Sequence, residues 1–181
     1  MTFSARAKTF LASIVLRQRL LSRWAHKRLP TKRLAACVLL FDDDDRLLVV
    51  KPTYRGEWLL PGGAVERDES PWEGARREVR EEIGLEPDQL HLAAVDWRAS
   101  DDEYNESLHF VFDGGVLSPE QRAAIRPDGI EIGDYRFVDR EEAKELLYPQ
   151  LCWRITPCWG RQTNGARPLI LNTGEADTQA S

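Results

Sequence analysis

The sequence predicts an α/β (α+β) fold, a central mixed β-sheet lying between helical layers. Two observations carry this. Short apolar runs with strand character recur from residue 33 onward, and helices with legible caps fall among them rather than after them. The chain is also long enough, at 181 residues with 42% hydrophobic and 30% charged side chains, to bury one core of ordinary composition.

Charge divides the chain before any element does. Residues 1–33 hold nine Lys or Arg and no Asp or Glu, whereas the net charge of the whole is −5. Residues 5–28 read as a basic amphipathic helix, with Phe10, Ile14 and Leu21 on a loose apolar side and Arg17, Arg19, Arg23, Lys27 and Arg28 breaking every apolar run. No stretch there approaches the ~20 apolar residues that span a bilayer. An N-terminal extension over 1–32 of this kind suits peripheral contact with an anionic membrane or a partner. Packing on the domain, an oligomer contact (the chain being a monomer or homodimer) and a transit-type leader are the plainer readings. The acidic remainder suits cations and argues against DNA binding.

The main domain is expected over 33–172. Arg33 to Phe41 is an apolar strand, Asp42–Asp45 a solvated hairpin turn and Arg46 to Lys51 the returning strand. A loop over 52–57 and the segment Trp58 to Leu60 lead into a glycine-rich turn at Gly62–Gly63. Beyond the next helix, Leu90 to Arg98 and Ser107 to Asp113 read as strands, with Gly114–Gly115 ending the second. Ser118, Pro119 and Gln121 start a short helix reaching Ala124. Pro127, Gly129 and Gly133 mark a loop before strand Tyr135 to Val138. Asp139 caps a helix to Leu147, Tyr148 to Arg161 is helical around Pro157, and Pro168 to Asn172 is a last strand. Residues 173–181 read as a disordered tail. Cys37, Cys152 and Cys158 lack metal-finger spacing, and an odd number without a signal peptide points to a reducing, cytoplasmic setting.

The most informative stretch is Leu60 to Leu85. Ser70, Pro71 and Glu73 form a capping box with proline at the first helical position; Gly84 supplies the left-handed end and Pro87 forbids continuation. The helix therefore spans Pro71 to Ile83. At about 100° per residue, Glu78, Glu81 and Glu82 share one face, while Trp72, Ala75, Val79 and Ile83 form the face that packs on a sheet. A solvated acidic face is the plain reading of three neighbouring carboxylates. The glycine turn beside them favours a cation site instead, because hard divalent ions take oxygen ligands and Mg²⁺ is commonly held by one or two carboxylates plus substrate phosphates.

Gly63, Glu69, Arg77, Glu78, Val79, Glu81, Glu82, Gly84 and Leu85 fall at the spacing G-x5-E-x7-R-E-U-x-E-E-x-G-U, where U is aliphatic. This string resembles the Nudix box at every specified position and covers 23 of the 181 residues. The resemblance implies the Nudix α/β/α sandwich. It also implies a metal-dependent hydrolase that cleaves a pyrophosphate linkage in a nucleoside diphosphate joined to another moiety, using Mg²⁺, with Mn²⁺ as substitute. By the same resemblance Glu78 and Glu82 are the main metal ligands, Glu81 assists directly or through water, and Gly62 offers its carbonyl. Gly63, Glu69, Arg77 and Gly84 act through structure, Arg77 by pairing with Glu69. The general base is a box glutamate or a loop acid, with Glu131 ahead of Asp128, Glu103 and Glu106. Lys51 and Arg55 are candidates for substrate phosphates. Tyr54, Trp58, Trp97, Phe110 and Trp153 are available as a platform for a base, core packing being the plainer role for most. His26, His91 and His109 show no pattern. The alternative is a nucleotide-sensing module that keeps the fold without turnover; the complete set of box glutamates weighs against it. Oxidised nucleotides, nucleotide sugars, dinucleoside polyphosphates and capped RNA all remain open as substrates.

Overall fold

A computed structural model describes residues 31–100, 105–160, 166–172 and 175–176. The chain divides into two units, Met1–Thr31 and Lys32–Ser181. The expected basic helix over 5–28 lies outside the described residues.

The described residues build one eight-stranded mixed sheet. Its strands are β1 (Arg33–Phe41), β2 (Leu47–Pro52), β3 (Gly62–Ala64), β4 (His91–Arg98), β5 (Ser107–Val116), β6 (Ile132–Val138), β7 (Leu169–Asn172) and β8 (Glu175–Ala176). They run in the order β6-β2-β1-β5-β4-β7-β8, with β3 paired to β1. The β1–β5 and β4–β7 pairs are parallel, and the remaining pairs antiparallel. The helices are α1 (Pro71–Ile83), α2 (Pro119–Ala124), α3 (Arg140–Leu146) and α4 (Pro149–Ile155), followed by a 3₁₀ turn over Thr156–Cys158.

β1 and β2 read as unbroken apolar runs because both faces of the sheet are covered, so neither parity can be polar. Ala36, Val38, Leu40, Leu48 and Val50 join Ala75, Val79 and Ile83 of α1 in one core. Leu39, Phe41, Leu47 and Val49 point the other way and join Ala143, Leu147, Leu151 and Ile155 from α3, α4 and the link between them. Helices on both faces make the α/β/α sandwich.

Four local expectations are corrected. Gly62–Gly63 is not a turn but part of β3, pairing with Cys37 and Ala36 of β1. β5 runs through Gly114 and Gly115 to Val116; a Cβ on Gly114 would lie 2.6 Å from the Leu40 side chain, so the glycine permits close packing rather than ending the strand. Asp42 is buried and closes the hairpin, its carboxylate accepting from the Asp44 and Arg46 amides at 3.0 Å and from Arg46 Nε at 2.8 Å; Asp43, Asp44 and Asp45 are solvated as expected. Within the tail read as disordered, Glu175–Ala176 pairs with β7 as β8. Cys37, Cys152 and Cys158 are free thiols. No described helix is long and apolar enough to cross a membrane.

Candidate active site

Local capping sets α1. Ser70 accepts from the Glu73 amide while Glu73 returns a bond to the Ser70 amide, and Gly84 closes the helix at φ 73°. Burying Ala75, Val79 and Ile83 completely against the sheet then fixes the rotation of the helix. Trp72 departs from the expected apolar face and is exposed, with the Arg76 guanidinium over its ring at 4.7 Å. It sits in the first turn, and the cation covers one side of the indole in place of the sheet.

That rotation brings Glu78 and Glu82 toward β3. Glu82 is only 7% exposed, and its Oε2 accepts from the Gly62 amide at 2.9 Å. Gly62 therefore touches the glutamate through its N–H. A Cβ on Gly63 would fall 2.5 Å from Glu78 Oε1, so the backbone approaches this carboxylate as closely as only glycine allows. Gly62 has φ 143°, and a Cβ there would lie 2.3 Å from the Ala36 carbonyl oxygen. Gly62→Ala is accordingly expected to cost more than ~3 kcal/mol in urea unfolding, a backbone clash added to strain. Gly56→Ala, with nothing within 4 Å, should be neutral in the same assay.

Glu81 does not join the other two as the expected face implied. It is exposed, and its Oε2 is bonded to Arg77 Nη1 at 3.1 Å. Arg77 is the organiser of the site. Its Nε and Nη2 meet the two oxygens of Glu69 at 2.9 and 3.2 Å, Nη1 also meets Glu78 at 2.9 Å, and Nη2 donates to the Ala64 carbonyl at 3.1 Å. The expected Glu69–Arg77 pair is thus present and ties the loop before α1 to the helix.

Charge accumulates where the glutamates meet. Burial pushes the Glu82 carboxyl up to about 8 against the Gly62 bond, and the charges of Glu78, Glu131 and Asp128 add to the rise. Glu78 is raised too, by burial first and then by Glu81 and Glu131, with Arg77 opposing. Two partly buried carboxylates that repel and lack enough countercharge fit a divalent cation, which would relieve both. Among the described residues no three His, Cys, Asp or Glu side chains converge into a ready-made cation cage. Glu78 and Glu82 thus stand as a pair of carboxylates, an arrangement of the kind that can hold Mg²⁺ together with phosphate and water.

The loop before β6 is fastened to this site at both ends. The Arg126 and Asp128 amides donate to the Ile83 and Glu82 carbonyls at 2.9 and 3.1 Å, and the Thr53 amide donates to the Glu131 carbonyl at 2.9 Å. Asp128 organises the loop by accepting from the amides of Ile130, Glu131 and Ile132. Glu131 is exposed and acts on both Glu78 and Glu82 through its charge. Glu106 instead pairs with Lys32 beside the start of β1, and Glu103 lies outside the described residues.

The remaining candidates scatter. Trp58 is buried in the core, with Arg136 4.7 Å over its ring, while Trp97 and Trp153 are exposed. Lys51 donates to the Gly56 carbonyl. Arg55, Phe110 and His109 line a cavity of about 150 Å³ that also borders Gly62 and Gly63. Tyr54 is exposed, its phenol raised by desolvation and then by the charge of Glu82. The expectations did not include Arg154 and Asp96, a buried pair at 2.8 Å whose arginine lines the same cavity. Asp96, a lone acid directly after the apolar run Leu92–Val95 of β4, was the available signal.

Residues 31–154 match the NUDIX domain family. The chain is 40% identical over 119 residues to human diphosphoinositol polyphosphate phosphohydrolase 3-alpha, covering 64% of this chain and 69% of that one. It is 32% identical over 149 residues to isopentenyl-diphosphate Delta-isomerase of Streptomyces avermitilis, covering 75% and 70%. The structure of a MutT protein from Methanosarcina mazei superposes with a TM-score of 0.54 at 25% identity, covering 66% of this chain and 87% of that one. The matched segments span 43%, 31% and 34% of the first three curated relatives. With a complete box on α1, the sandwich around it and a family match over most of its length, the chain belongs to the Nudix hydrolase family.

Proposed function

We propose that the chain hydrolyses a pyrophosphate linkage in a nucleoside diphosphate joined to another moiety, with Mg²⁺ as cofactor and Mn²⁺ as substitute. The observation that carries this reading is the pairing of Glu82 and Glu78 with the glycines of β3. It presents two neighbouring carboxylates, Glu82 buried and Glu78 partly buried, against the strand. Glu78 and Glu82 would hold the cation, Glu81 would assist through water, and the Gly62 carbonyl would add an oxygen. The bound cation would neutralise the diphosphate and lower the pKa of attacking water.

The chain's own groups prepare the rest. The Gly62 amide orients Glu82, Arg77 fixes Glu78 and holds the loop of Glu69 in place, and the tethered loop keeps Glu131 within the field of both glutamates. Glu131 is the leading general base: it would take the proton from water as the water attacks phosphorus and the P–O–P bridge breaks, leaving one phosphate of the diphosphate on each product. Glu131→Gln is then expected to lower kcat by about 10²–10⁴-fold with KM little changed. Unchanged kcat would return the role to a box glutamate.

The deciding experiment is a hydrolysis screen with Mg²⁺ and Mn²⁺ over oxidised nucleotides, nucleotide sugars, dinucleoside polyphosphates and capped RNA. Hydrolysis of at least one is expected, and no product from any would sink the reading. The likeness to the Streptomyces avermitilis protein favours a second reading, isomerisation of isopentenyl diphosphate with the diphosphate retained. Adding isopentenyl diphosphate to the screen separates the two, because hydrolysis would split its diphosphate whereas isomerisation would return an isomer with the diphosphate intact. For the extension over 1–32, deletion of residues 1–28 followed by vesicle partitioning tests the membrane or partner role.

A further inference from the structure

Two large apolar side chains stand in the open near the glutamates of α1. Tyr54 is 70% exposed and Ile130 is 80% exposed, the two highest values among the large apolar side chains of the described residues. Ile130 lies at the tip of its loop, between Gly129 and Glu131, where small polar residues are the usual choice. The loops that carry the two are fastened to each other. The Thr53 hydroxyl donates to the Ile130 carbonyl at 2.7 Å, and the Thr53 amide donates to the Glu131 carbonyl at 2.9 Å. Beside that link Pro52 pairs with Ile132 at the end of the β2–β6 ladder. The second loop is also closed on itself: Asp128 accepts from the Ile132 amide at 2.8 Å, and the Gly129 amide donates to the Ile132 carbonyl at 3.0 Å. The phenol of Tyr54 lies within the field of Glu82, Glu131 and Glu78, with Arg55 opposing. Tyr54 is therefore near the carboxylates that would hold the cation, and a fixed backbone presents it.

We propose that Tyr54 and Ile130 hold a planar ring carried by the moiety beyond the nucleoside diphosphate, so that the substrate is of the dinucleoside or capped type rather than a nucleotide sugar. The proposal rests on the hydrolase reading above and names the moiety that the reading leaves open. An aromatic side chain accepts any base on its π-face without reading the base's edge. Both side chains are too exposed to enclose a ligand, and an isoleucine side chain makes no hydrogen bond. Such a surface suits the face of a ring whose polar edge stays in water. A sugar in the same place would present hydroxyls to Ile130. A terminal phosphate would come under the charge of Glu131, which is exposed and already acts on Glu78 and Glu82. Because Thr53 holds the two loops together before any ligand arrives, little is lost in ordering them.

The test is calorimetric titration of the full chain, in Mg²⁺, with two compounds whose bridging oxygen is replaced by a methylene group. One is the analogue of diadenosine diphosphate; the other is adenosine methylenediphosphate, which lacks the second nucleoside. Neither can be hydrolysed at the bridge, so the result stands apart from the hydrolysis screen and either can fail alone. The diadenosine compound is expected to bind roughly 10- to 100-fold more tightly than the shorter one. Tyr54→Ala should remove that difference. Tyr54→Phe should keep it, because the ring and not the hydroxyl makes the contact, and Ile130→Ser should narrow it by about 5-fold. The melting temperature should hold in all three variants, since both side chains are exposed. Equal binding of the two compounds by the parent, a difference that survives Tyr54→Ala, or its loss in Tyr54→Phe would overturn the proposal.

Discussion

Glu82→Gln is expected to abolish turnover and, at the same time, to stabilise the cation-free protein at alkaline pH. Loss of a ligand of the proposed cation should lower kcat/KM by at least about 100-fold, since changes to groups merely supporting a metal site cost 10–100-fold. The stability effect follows from burial. The folded-state pKa of Glu82, about 8, lies above the 4.5 of the free side chain. The protonated carboxyl therefore contributes stability that is fully present below about pH 4.5 and is lost as pH rises through about 8. Glutamine keeps the acceptor for the Gly62 amide without the charge. Urea unfolding in EDTA should show the variant more stable than the parent by roughly 2–4 kcal/mol near pH 9, with the gap closing near pH 5. Mg²⁺ should stabilise the parent more at pH 8 than at pH 5.5, and should do little for the variant. A parent whose cation-free stability is flat from pH 5 to 9 would contradict the account.

Arg77→Met should be the most destabilising change on the surface of α1. The guanidinium spends all five donors on Glu69, Glu78, Glu81 and the Ala64 carbonyl. Its side chain and those of Glu69 and Glu78 are mostly shielded from water, at 18%, 15% and 13% exposure. Removing the cation strands two partly buried carboxylates beside a third. Breaking a fully buried pair costs 3–5 kcal/mol, so this partly screened one should cost about 2–3 kcal/mol. A chain of this size should then melt roughly 5–10 °C lower. Arg77→Lys restores the charge but not the fork, and should recover less than half of the loss. Glu69→Gln should reproduce part of it, because one carboxylate then loses its ionic bond while Glu78 and Glu81 keep theirs. Equal stability of Arg77→Met and the parent would mean that the network is ornamental.

Elements whose causes are local can be read directly from the order of the residues. α1 begins and ends where Ser70, Pro71, Glu73 and Gly84 require, and α2 and α3 follow the caps of Ser118 and Asp139 in the same way. The spacing of the box likewise put Glu78 and Glu82 on one side of α1. Features that depend on neighbours distant in the chain arise only with folding. Gly62 and Gly63 look like a turn in isolation, and only their pairing with β1 makes them a strand that reaches both glutamates. Glu81 shares a helical face with Glu78 and Glu82, yet Arg77 draws it to the exposed side. Arg154 and Asp96, 58 positions apart, meet because α4 crosses the face of the sheet that carries β4. Capping and helical periodicity act over a few residues and can be read in order. Burial, which raises the carboxyl of Glu82 and holds the guanidinium of Arg154 at its cavity, exists only once the sheet and both helical layers have closed around them.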